Sequence, residues 1–266
     1  MLQLARQIGV RLRILRAAAL MGCALLAAGC AVPVPRGPAP LSVSASVAPA
    51  FDIPTRRERM VTLARQEWVL FGAPVVQEDD NGGPRLDFPA GVTATHELQG
   101  PMLSRVLAYW YGVSRLPIVG YQGELRPWSA AFIAWLAHAA GYGQEEFPAT
   151  VLHWDYIERF ILAPASAPFV ARDPALHAPE VGDLVCNARS DGRQPDFAGQ
   201  VPDFGSLRRG PYHCDLVVER APDHVQAIGG NVADTVAMTR MPIAPDGRLR
   251  ADARRRWVVV LKHRSP

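Results

Sequence analysis

The chain has 266 residues, which is enough for one sizeable domain or two small ones. Its hydrophobic fraction of 49% is typical of a globular protein with a substantial core, and its formal net charge at pH 7 is +3. Four of the 28 basic residues are arginines within the first 16 positions, so the rest of the chain is nearly neutral. This charge distribution argues against a nucleic-acid-binding protein.

The N-terminus has the pattern of a targeting segment. A basic stretch that ends at Arg16 precedes an apolar run over residues 17–28. The run is too short to span a bilayer and is typical of the core of a signal peptide. We therefore predict that residues 1–30 are a signal segment and not part of the fold. An ordinary secretory signal is the alternative to the lipoprotein signal described next.

Residues 26–30 resemble a bacterial lipobox, although Ala27 stands where leucine is commoner. The resemblance implies that Cys30 becomes the first mature residue and carries the lipid, with palmitate among its acyl groups, so that the protein is anchored to a membrane. Because Ala31 and not aspartate follows, it also implies a periplasm-facing protein of the outer membrane. Cys23 is a second candidate, but its apolar core would be shorter.

A predicted tether and then the start of a predicted globular domain follow the lipobox. Residues 31–54 are rich in proline, alanine and serine without helical or strand periodicity, which predicts a semi-extended tether. A globular domain is predicted over residues 55–266. Its first helix is predicted at 56–71, with Val69 among the residues available for burial, and residues 77–91 are predicted to form a loop.

Residues 127–141 predict a helix with an alanine-rich interior that ends at Gly141. Phe132 and Leu136 recur at helical spacing and define one apolar face. Ser129 lies on the same face in the first turn, where backbone N–H groups and the helix dipole favour a nucleophile or a bound anion. Serine is also a common residue at helix starts for purely structural reasons.

The remaining elements predict an α+β fold, with helices first and antiparallel strands afterwards. Further helices are predicted at 104–113 and 150–162, the second with Thr150 as its N-cap. Four strands are predicted in the C-terminal half, at 184–186, 213–219, 225–232 and 257–262. A long polar loop is predicted at 187–209.

Two cysteines, Cys186 and Cys214, belong to the predicted mature domain. In an oxidising periplasm such a pair predicts a disulfide. A zinc site formed with His213 is the alternative, but adjacent residues of a strand point to opposite sides, which makes joint coordination by His213 and Cys214 awkward. Cys214 is also a conceivable nucleophile. We predict no metal and no cofactor.

Four short motifs occur in a characteristic order, at residues 128–133, 182–186, 213–215 and 229–232. Together they resemble the bacterial domain of unknown function 2272 and, more widely, the papain-like CHAP and NlpC cell-wall amidases and peptidases. The resemblance extends over residues 56–262. It implies an α+β, papain-like fold with N-terminal helices packed on a C-terminal antiparallel sheet.

The resemblance also implies site residues. Ser129 stands at the position of the nucleophile, which is a cysteine in the papain-like superfamily, and His213 and Asn231 stand at the positions of the base and of the residue that orients it. Serine has a much higher pKa than cysteine and must lose its proton during attack, so a base is needed. Three further residues are candidates for the same cleft, and the last of them is expected mainly to brace its turn: Trp128, His153 and Asp183.

These observations predict an envelope lipoprotein that hydrolyses an amide bond in peptidoglycan with Ser129 as nucleophile. The alternative is a catalytically inactive papain-like domain that binds cell-wall peptide or a partner protein in the same cleft, because fold does not determine function. A purely structural envelope lipoprotein is a third possibility. The sequence leaves open whether the protein is an enzyme, which bond it would cut and its oligomeric state.

Overall fold

The computed structural model describes residues 53–78, 84–189, 202–251 and 255–264. The predicted signal segment with Cys30 and nearly all of the predicted tether lie outside these ranges. The central part of the predicted 187–209 loop lies outside them as well. Among the residues that are described, no helix combines the length and the apolar character needed to cross a membrane.

Within the described ranges, four α-helices and eight β-strands form. The helices are α1 (Arg56–Leu70), α2 (Gly100–Val113), α3 (Ser129–Ala139) and α4 (His153–Ile161), and one 3₁₀ turn occupies Phe204–Ser206. The strands are β1 (Val75–Glu78), β2 (Pro84–Asp87), β3 (Phe169–Arg172), β4 (Leu184–Ala188), β5 (Tyr212–Arg220), β6 (His224–Val232), β7 (Thr235–Pro242) and β8 (Arg256–His263). They form one sheet in the order β2-β1-β7-β6-β5-β4-β8-β3. The predicted α+β class is confirmed.

The sheet is mixed, whereas an antiparallel sheet was predicted. The pairs from β7 through β3 are antiparallel, but β1 runs parallel to β7, with Val75 opposite Met238. A tight hairpin would force antiparallel pairing. No hairpin joins β1 to β7, because β1 reaches the sheet from α1 and lies far from β7 in the chain. Its direction is therefore free of that constraint.

The prediction that residues 77–91 form a loop is wrong for Gln77, Glu78 and residues 84–87, which belong to strands β1 and β2. Strands β1 and β2 pair antiparallel, with Val76 opposite Leu86. The hairpin is short, and β2 pairs only with β1 at the edge of the sheet. An edge strand that buries little surface has no clear alternation of apolar and polar residues, and it tolerates a proline such as Pro84.

Helix α1 begins where the sequence predicts, at a complete capping box. The Glu58 backbone N–H donates to Thr55 Oγ1 (3.2 Å), and the Thr55 N–H donates to the Glu58 carboxylate (2.7 Å). The hydrogen bonds that the Thr55 N–H and the Thr55 hydroxyl donate to the Glu58 carboxylate lower the pKa of Glu58. The prediction that Val69 is available for burial is wrong, since it is 61% exposed. The buried side of the helix carries Glu67, which is hydrogen-bonded to Arg105 on α2.

Helix α4 begins at His153, three residues later than the predicted start, and its N-cap is Leu152. The predicted cap, Thr150, acts just outside the helix. Its hydroxyl accepts the Leu152 N–H (3.0 Å) and donates to Asp155 in the first turn (2.5 Å). Thr150 therefore still anchors this end of the helix, but His153 becomes the first helical residue.

Helix α3 is buried almost all round, since eight of its eleven residues are buried. It packs against β5, β6, α1 and α2, so burial extends beyond the one apolar face that the sequence predicts, and its alanines are buried as well. Alanine at several positions keeps its surface smooth, and the rings of Tyr109, Trp128 and Phe132 form a cluster at its N-terminal half. This packing fixes the position of Ser129 at the start of the helix.

The predicted disulfide is confirmed. Cys186 on β4 and Cys214 on β5 are directly opposite in the antiparallel register, and their sulfur atoms are bonded. Both residues are fully buried. Because the two sulfurs are bonded to each other, neither is a free thiolate that could bind zinc or attack a substrate.

His263 on β8 is a buried histidine that makes the stability of the fold depend on pH. Its Nε2 is 2.6 Å from the Tyr142 hydroxyl, and its Nδ1 has no hydrogen-bond partner among the described residues. Burial, followed by the charges of Arg57 and Arg56, lowers the pKa of His263 to about 4. An unfolded histidine has a pKa of about 6.5, so the unfolded state takes up a proton first as the pH falls.

We therefore expect the free energy of unfolding to fall between pH 6.5 and about pH 4, with His263 accounting for about 2–3 kcal/mol of the loss. Urea unfolding at pH 7 and pH 4 measures it in the wild type, in His263→Gln and in His96→Gln, whose histidine is half exposed. The loss should be smaller in His263→Gln than in the other two proteins. Equal losses in all three would show that His263 does not carry this dependence.

Candidate functional site

Ser129 is the first residue of α3 and is only 3% exposed. Its Oγ is 2.6 Å from Nε2 of His153, the first residue of α4. The two helix starts therefore meet, and a hydroxyl and an imidazole form a buried hydrogen bond between them. The backbone N–H groups of the first turn of α3 lack partners within the helix, so this end is electropositive.

His153 has a second partner on its own helix. Its Nδ1 is hydrogen-bonded to the hydroxyl of Tyr156, which lies three residues further along α4 and hence on the same side of the helix. Burial, followed by the nearby His213 and Arg189, lowers the pKa of His153 well below 6.5. The imidazole is therefore neutral at pH 7.

Tyr156 is fully buried beneath His153. Burial, followed by the negative charge of Asp215, raises the pKa of its phenol well above 10. The phenol therefore keeps its proton at neutral pH and is available as a hydrogen-bond donor. Ser129, His153 and Tyr156 form a continuous hydrogen-bonded chain.

A second pair lies beside this chain on strand β5. The Nε2–H of His213 donates to Oδ1 of Asp215 (2.8 Å), since residues two apart on a strand share one face. The His213 and His153 ring centroids are 5.5 Å apart. The His213 side chain is 14% exposed and that of Asp215 is 6% exposed. Because Asp215 holds Nε2, the nitrogen of His213 that can accept a proton is Nδ1.

Gly229 on β6 makes room for this pair. A β-carbon at Gly229 would lie 1.8 Å from Asp215 Oδ1 and 3.0 Å from His213 Nε2. The neighbouring Gly230 is similarly close to Phe132 on α3. The two glycines therefore allow β6 to lie close to the site, and the register of β6 with β7 shifts between Gly229 and Val232.

Asn231 lies near Ser129, but its hydrogen bonds differ from the predicted one, which was to His213. Its Oδ1 accepts the backbone N–H of Trp128 (3.3 Å), and its Nδ2 donates to Glu97 Oε2 (3.4 Å). The hydrogen-bonding partner of His213 is Asp215. Asn231 therefore holds the chain at the entrance of α3, and the position that orients the imidazole is occupied by a carboxylate.

Trp128 is fully buried and helps to hold the same entrance. Its indole N–H donates to Glu97 Oε2 (2.6 Å). Burial is the main cause of the raised pKa of Glu97, and the bond from Trp128 partly opposes it. Trp128 is thus a structural partner of the site, since its polar atom is taken up by Glu97.

Asp183 braces its turn, as expected. Its carboxylate accepts the backbone N–H groups of Glu180 (3.0 Å) and His263 (2.8 Å), and His177 Nε2 lies 3.3 Å away. Burial raises the pKa of Asp183, although these bonds oppose the shift. These partners belong to the turn and to β8. The structure therefore places Asp183 apart from the Ser129 hydrogen-bonded chain.

The structure thus brings Ser129 and His153 into contact and places His213 next to them. It adds two residues that the sequence analysis missed, Tyr156 and Asp215. Both have a signal in the sequence: histidine and tyrosine three apart on a helix, and histidine and aspartate two apart on a strand, share a face. Within the described part of the chain, no group of three or more His, Cys, Asp or Glu side chains is arranged to hold a metal ion.

Chemically, the site combines a hydroxyl at a helix N-terminus with two imidazoles, one of which is paired with a carboxylate. Such groups can remove a proton from the hydroxyl and return it to a leaving group. Residues 112–263, more than half of the chain, match the family described as "Uncharacterized protein conserved in bacteria (DUF2272)". No curated protein and no solved structure matches the chain.

Proposed function

The chain belongs to the DUF2272 family of bacterial proteins, and we propose that this member hydrolyses an amide bond in peptidoglycan with Ser129 as nucleophile. The observation that carries the proposal is the 2.6 Å contact between Ser129 Oγ and His153 Nε2 at the start of a buried helix. The His213–Asp215 pair beside it supports the proposal, because it supplies a second imidazole whose protonated form a carboxylate can stabilise.

A papain-like arrangement of the fold is part of the proposal. Helix α3 carries the nucleophile at its N-terminus and packs on β5, which carries His213, and on β6, which carries Asn231. This is the order of elements that the resemblance to the CHAP and NlpC hydrolases implies. Serine in place of cysteine is the main departure from that superfamily.

The chemistry begins when Ser129 Oγ attacks the amide carbonyl and a histidine takes the serine proton. Negative charge then develops on the carbonyl oxygen. Backbone N–H groups in the first turn of α3 can bind this oxyanion, an interaction that contributes roughly 3–4 kcal/mol to transition-state stabilisation in other hydrolases. The histidine next returns the proton to the departing amine. The His213 side chain is more exposed than Ser129, so the substrate approaches from the His213 side.

The proposal includes the cellular setting. A lipid on Cys30 would anchor the protein in the outer membrane, facing the periplasm and within reach of peptidoglycan. The buried Cys186–Cys214 disulfide supports an oxidising compartment, since cytosolic proteins rarely keep such bonds.

Hydrolysis can be measured with the full chain in detergent, incubated with purified peptidoglycan, by counting newly released amines. Ser129→Ala should lower the rate by at least about 10³-fold, because it removes the atom that attacks. Ser104→Ala is the matched control, since Ser104 is an exposed helical serine whose hydroxyl donates to the Gly100 carbonyl. Release that persists in Ser129→Ala would exclude a serine mechanism.

A second candidate is a binding protein that uses the same cleft without catalysis. It is favoured by the burial of the site: Ser129 and His153 are 3% and 6% exposed, and their polar atoms are satisfied internally. In that case the wild type releases no amines, and the wild type and Ser129→Ala sediment equally with peptidoglycan. Peptidoglycan that fails to sediment either protein would contradict the binding function as well.

A further inference from the structure

The hydrogen-bond partners of Tyr156 determine which nitrogen of His153 carries the proton. Tyr156 is completely buried, and its hydroxyl has His153 Nδ1 as its hydrogen-bond partner among the described residues. A protonated phenol has one hydrogen to donate, and burying it without an acceptor is unfavourable. The hydroxyl therefore donates to Nδ1, which must carry a lone pair.

The tautomer of His153 follows from this. A neutral imidazole has one N–H and one lone pair, so a lone pair on Nδ1 places the hydrogen on Nε2. Nε2 is the atom 2.6 Å from Ser129 Oγ. His153 thus donates a hydrogen bond to the serine oxygen and has no lone pair with which to take the serine proton.

Each tautomer leaves one hydroxyl hydrogen without an acceptor among the described residues, that of Ser129 or that of Tyr156, and the opposite tautomer leaves the more deeply buried one. With the hydrogen on Nδ1, His153 would donate to the Tyr156 oxygen, and the hydroxyl hydrogen of Tyr156 would need another partner. Asp215 is near enough to raise the pKa of Tyr156, but the two are not hydrogen-bonded. The unpaired hydrogen would then belong to Tyr156, which is completely buried, whereas in the favoured tautomer it belongs to Ser129, which is 3% exposed and passes this proton to His213. The opposite state is therefore disfavoured.

We propose that Tyr156 is a positioning residue that fixes His153 as the Nε2–H tautomer, so that His153 donates to Ser129 and His213 takes the serine proton. The inference rests on the proposed function for the second step, whereas the tautomer itself needs no substrate. The two imidazoles then have different roles. His153 stabilises the serine oxygen, and His213, held by Asp215, transfers the proton.

These separate roles explain how serine could act as the nucleophile where the related hydrolases use cysteine. A hydrogen bond donated to an oxygen favours its negatively charged form, so the N–H of His153 stabilises the charge that builds on Oγ as the proton leaves. A thiol needs less stabilisation of its negative charge, because its pKa is much lower than that of a hydroxyl. Tyr156 thus acts on Ser129 through His153, without touching the substrate.

The proton and the electron pairs can be followed through the reaction. The Ser129 O–H bond breaks and the proton moves to Nδ1 of His213, either after a rotation of Ser129 or through one water. The Oγ lone pair forms the bond to the carbonyl carbon, and the C=O π pair moves to the carbonyl oxygen. When the C–N bond breaks, His213 returns the proton to the amine nitrogen. Water then attacks the carbonyl carbon of the serine ester and gives a proton to His213. When the C–Oγ bond breaks, His213 returns this proton to Ser129 Oγ and the carboxylic acid leaves.

The tautomer can be read by nuclear magnetic resonance of the full chain in detergent, labelled with ¹⁵N-histidine. The protonated ring nitrogen and the lone-pair nitrogen resonate far apart, and the signals of His153 are those missing from His153→Gln. We expect the hydrogen on Nε2 in the wild type. In Tyr156→Phe, which keeps the ring and removes the donor, a population with the hydrogen on Nδ1 should appear.

Tyr212→Phe is the matched control, because the Tyr212 hydroxyl donates to the Arg208 carbonyl (2.6 Å) and its ring stacks on Trp154 of α4. It should leave the His153 tautomer unchanged. A hydrogen on Nδ1 in the wild type would overturn the proposal and make His153 the base. A tautomer that is the same in the wild type and Tyr156→Phe would overturn the role of Tyr156.

Kinetics on peptidoglycan test the second step. Tyr156→Phe should lower kcat at least about tenfold with little change in KM, because the lost interaction acts on the transition state. His213→Gln should abolish measurable amine release, because it removes the nitrogen that takes the serine proton. Release at the wild-type rate in His213→Gln would overturn His213 as the base. A wild type with the expected tautomer but no hydrolysis would exclude the proposed function and leave the tautomer assignment standing.

Discussion

Replacing Asp215 with asparagine should lower the rate of peptidoglycan hydrolysis by about 10²–10⁴-fold with little change in folding. The carboxylate accepts the Nε2–H of His213 at 2.8 Å, which leaves the lone pair on Nδ1 and stabilises the imidazolium that forms when Ser129 loses its proton. Asparagine has nearly the same shape but no charge. The amine-release assay measures the rate, and thermal unfolding measures the fold.

Asp223→Asn is the control for this substitution. Asp223 lies at the exposed turn between β5 and β6, where it bonds His224 and Arg240. It should keep the wild-type rate. If Asp215→Asn hydrolyses peptidoglycan as fast as Asp223→Asn, the His213–Asp215 pair has no catalytic use, and the base must be sought elsewhere.

Removing the Cys186–Cys214 disulfide should lower the free energy of unfolding by about 3.5 kcal/mol, the loop-entropy value for a bridge between residues 28 apart. The bridge links the neighbouring strands β4 and β5 in the interior of the sheet, and β5 carries His213 and Asp215. Urea unfolding of the double variant Cys186→Ala/Cys214→Ala measures the loss. Alanine avoids the buried, unsatisfied hydroxyl that serine would introduce.

The wild type, unfolded with and without a thiol reductant, is the matched comparison, because only the bridge differs. Its reduced form should unfold at a urea concentration close to that of the double variant. Equal unfolding midpoints for the oxidised wild type and the double variant would show that the bridge does not stabilise the fold. A larger loss in the double variant than on reduction would measure the packing of the sulfur atoms.

The parts of the fold that the sequence predicted are those with strong local signals. Helix α3 has an apolar, alanine-rich sequence and a terminal glycine, Gly141, whose φ of 105° suits the end of a helix. Strands β5 and β6 have long apolar stretches. The disulfide followed from the presence of only two cysteines in the predicted mature domain, Cys186 and Cys214.

The missed strands have weak local signals. Strand β7 follows β6 through a two-residue turn at Ala233 and Asp234, both with positive φ. Such turns are usually recognised from Asn-Gly or Gly-Gly, and this one has neither. Strand β3 has only four residues and pairs with β8 at the sheet edge. Its existence depends on a partner about ninety residues away in the chain.

The sequence by itself determined the α+β class, the position of Ser129 at a buried helix start, and the disulfide. These depend on residue periodicity, helix-terminal chemistry and cysteine number, all of which are local or compositional. Only the tertiary structure decided that Ser129 touches His153, that Asp215 and not Asn231 holds His213, and that Tyr156 lies beneath them. These contacts join α3, α4 and β5, and the docking of three separate elements depends on how the whole core packs.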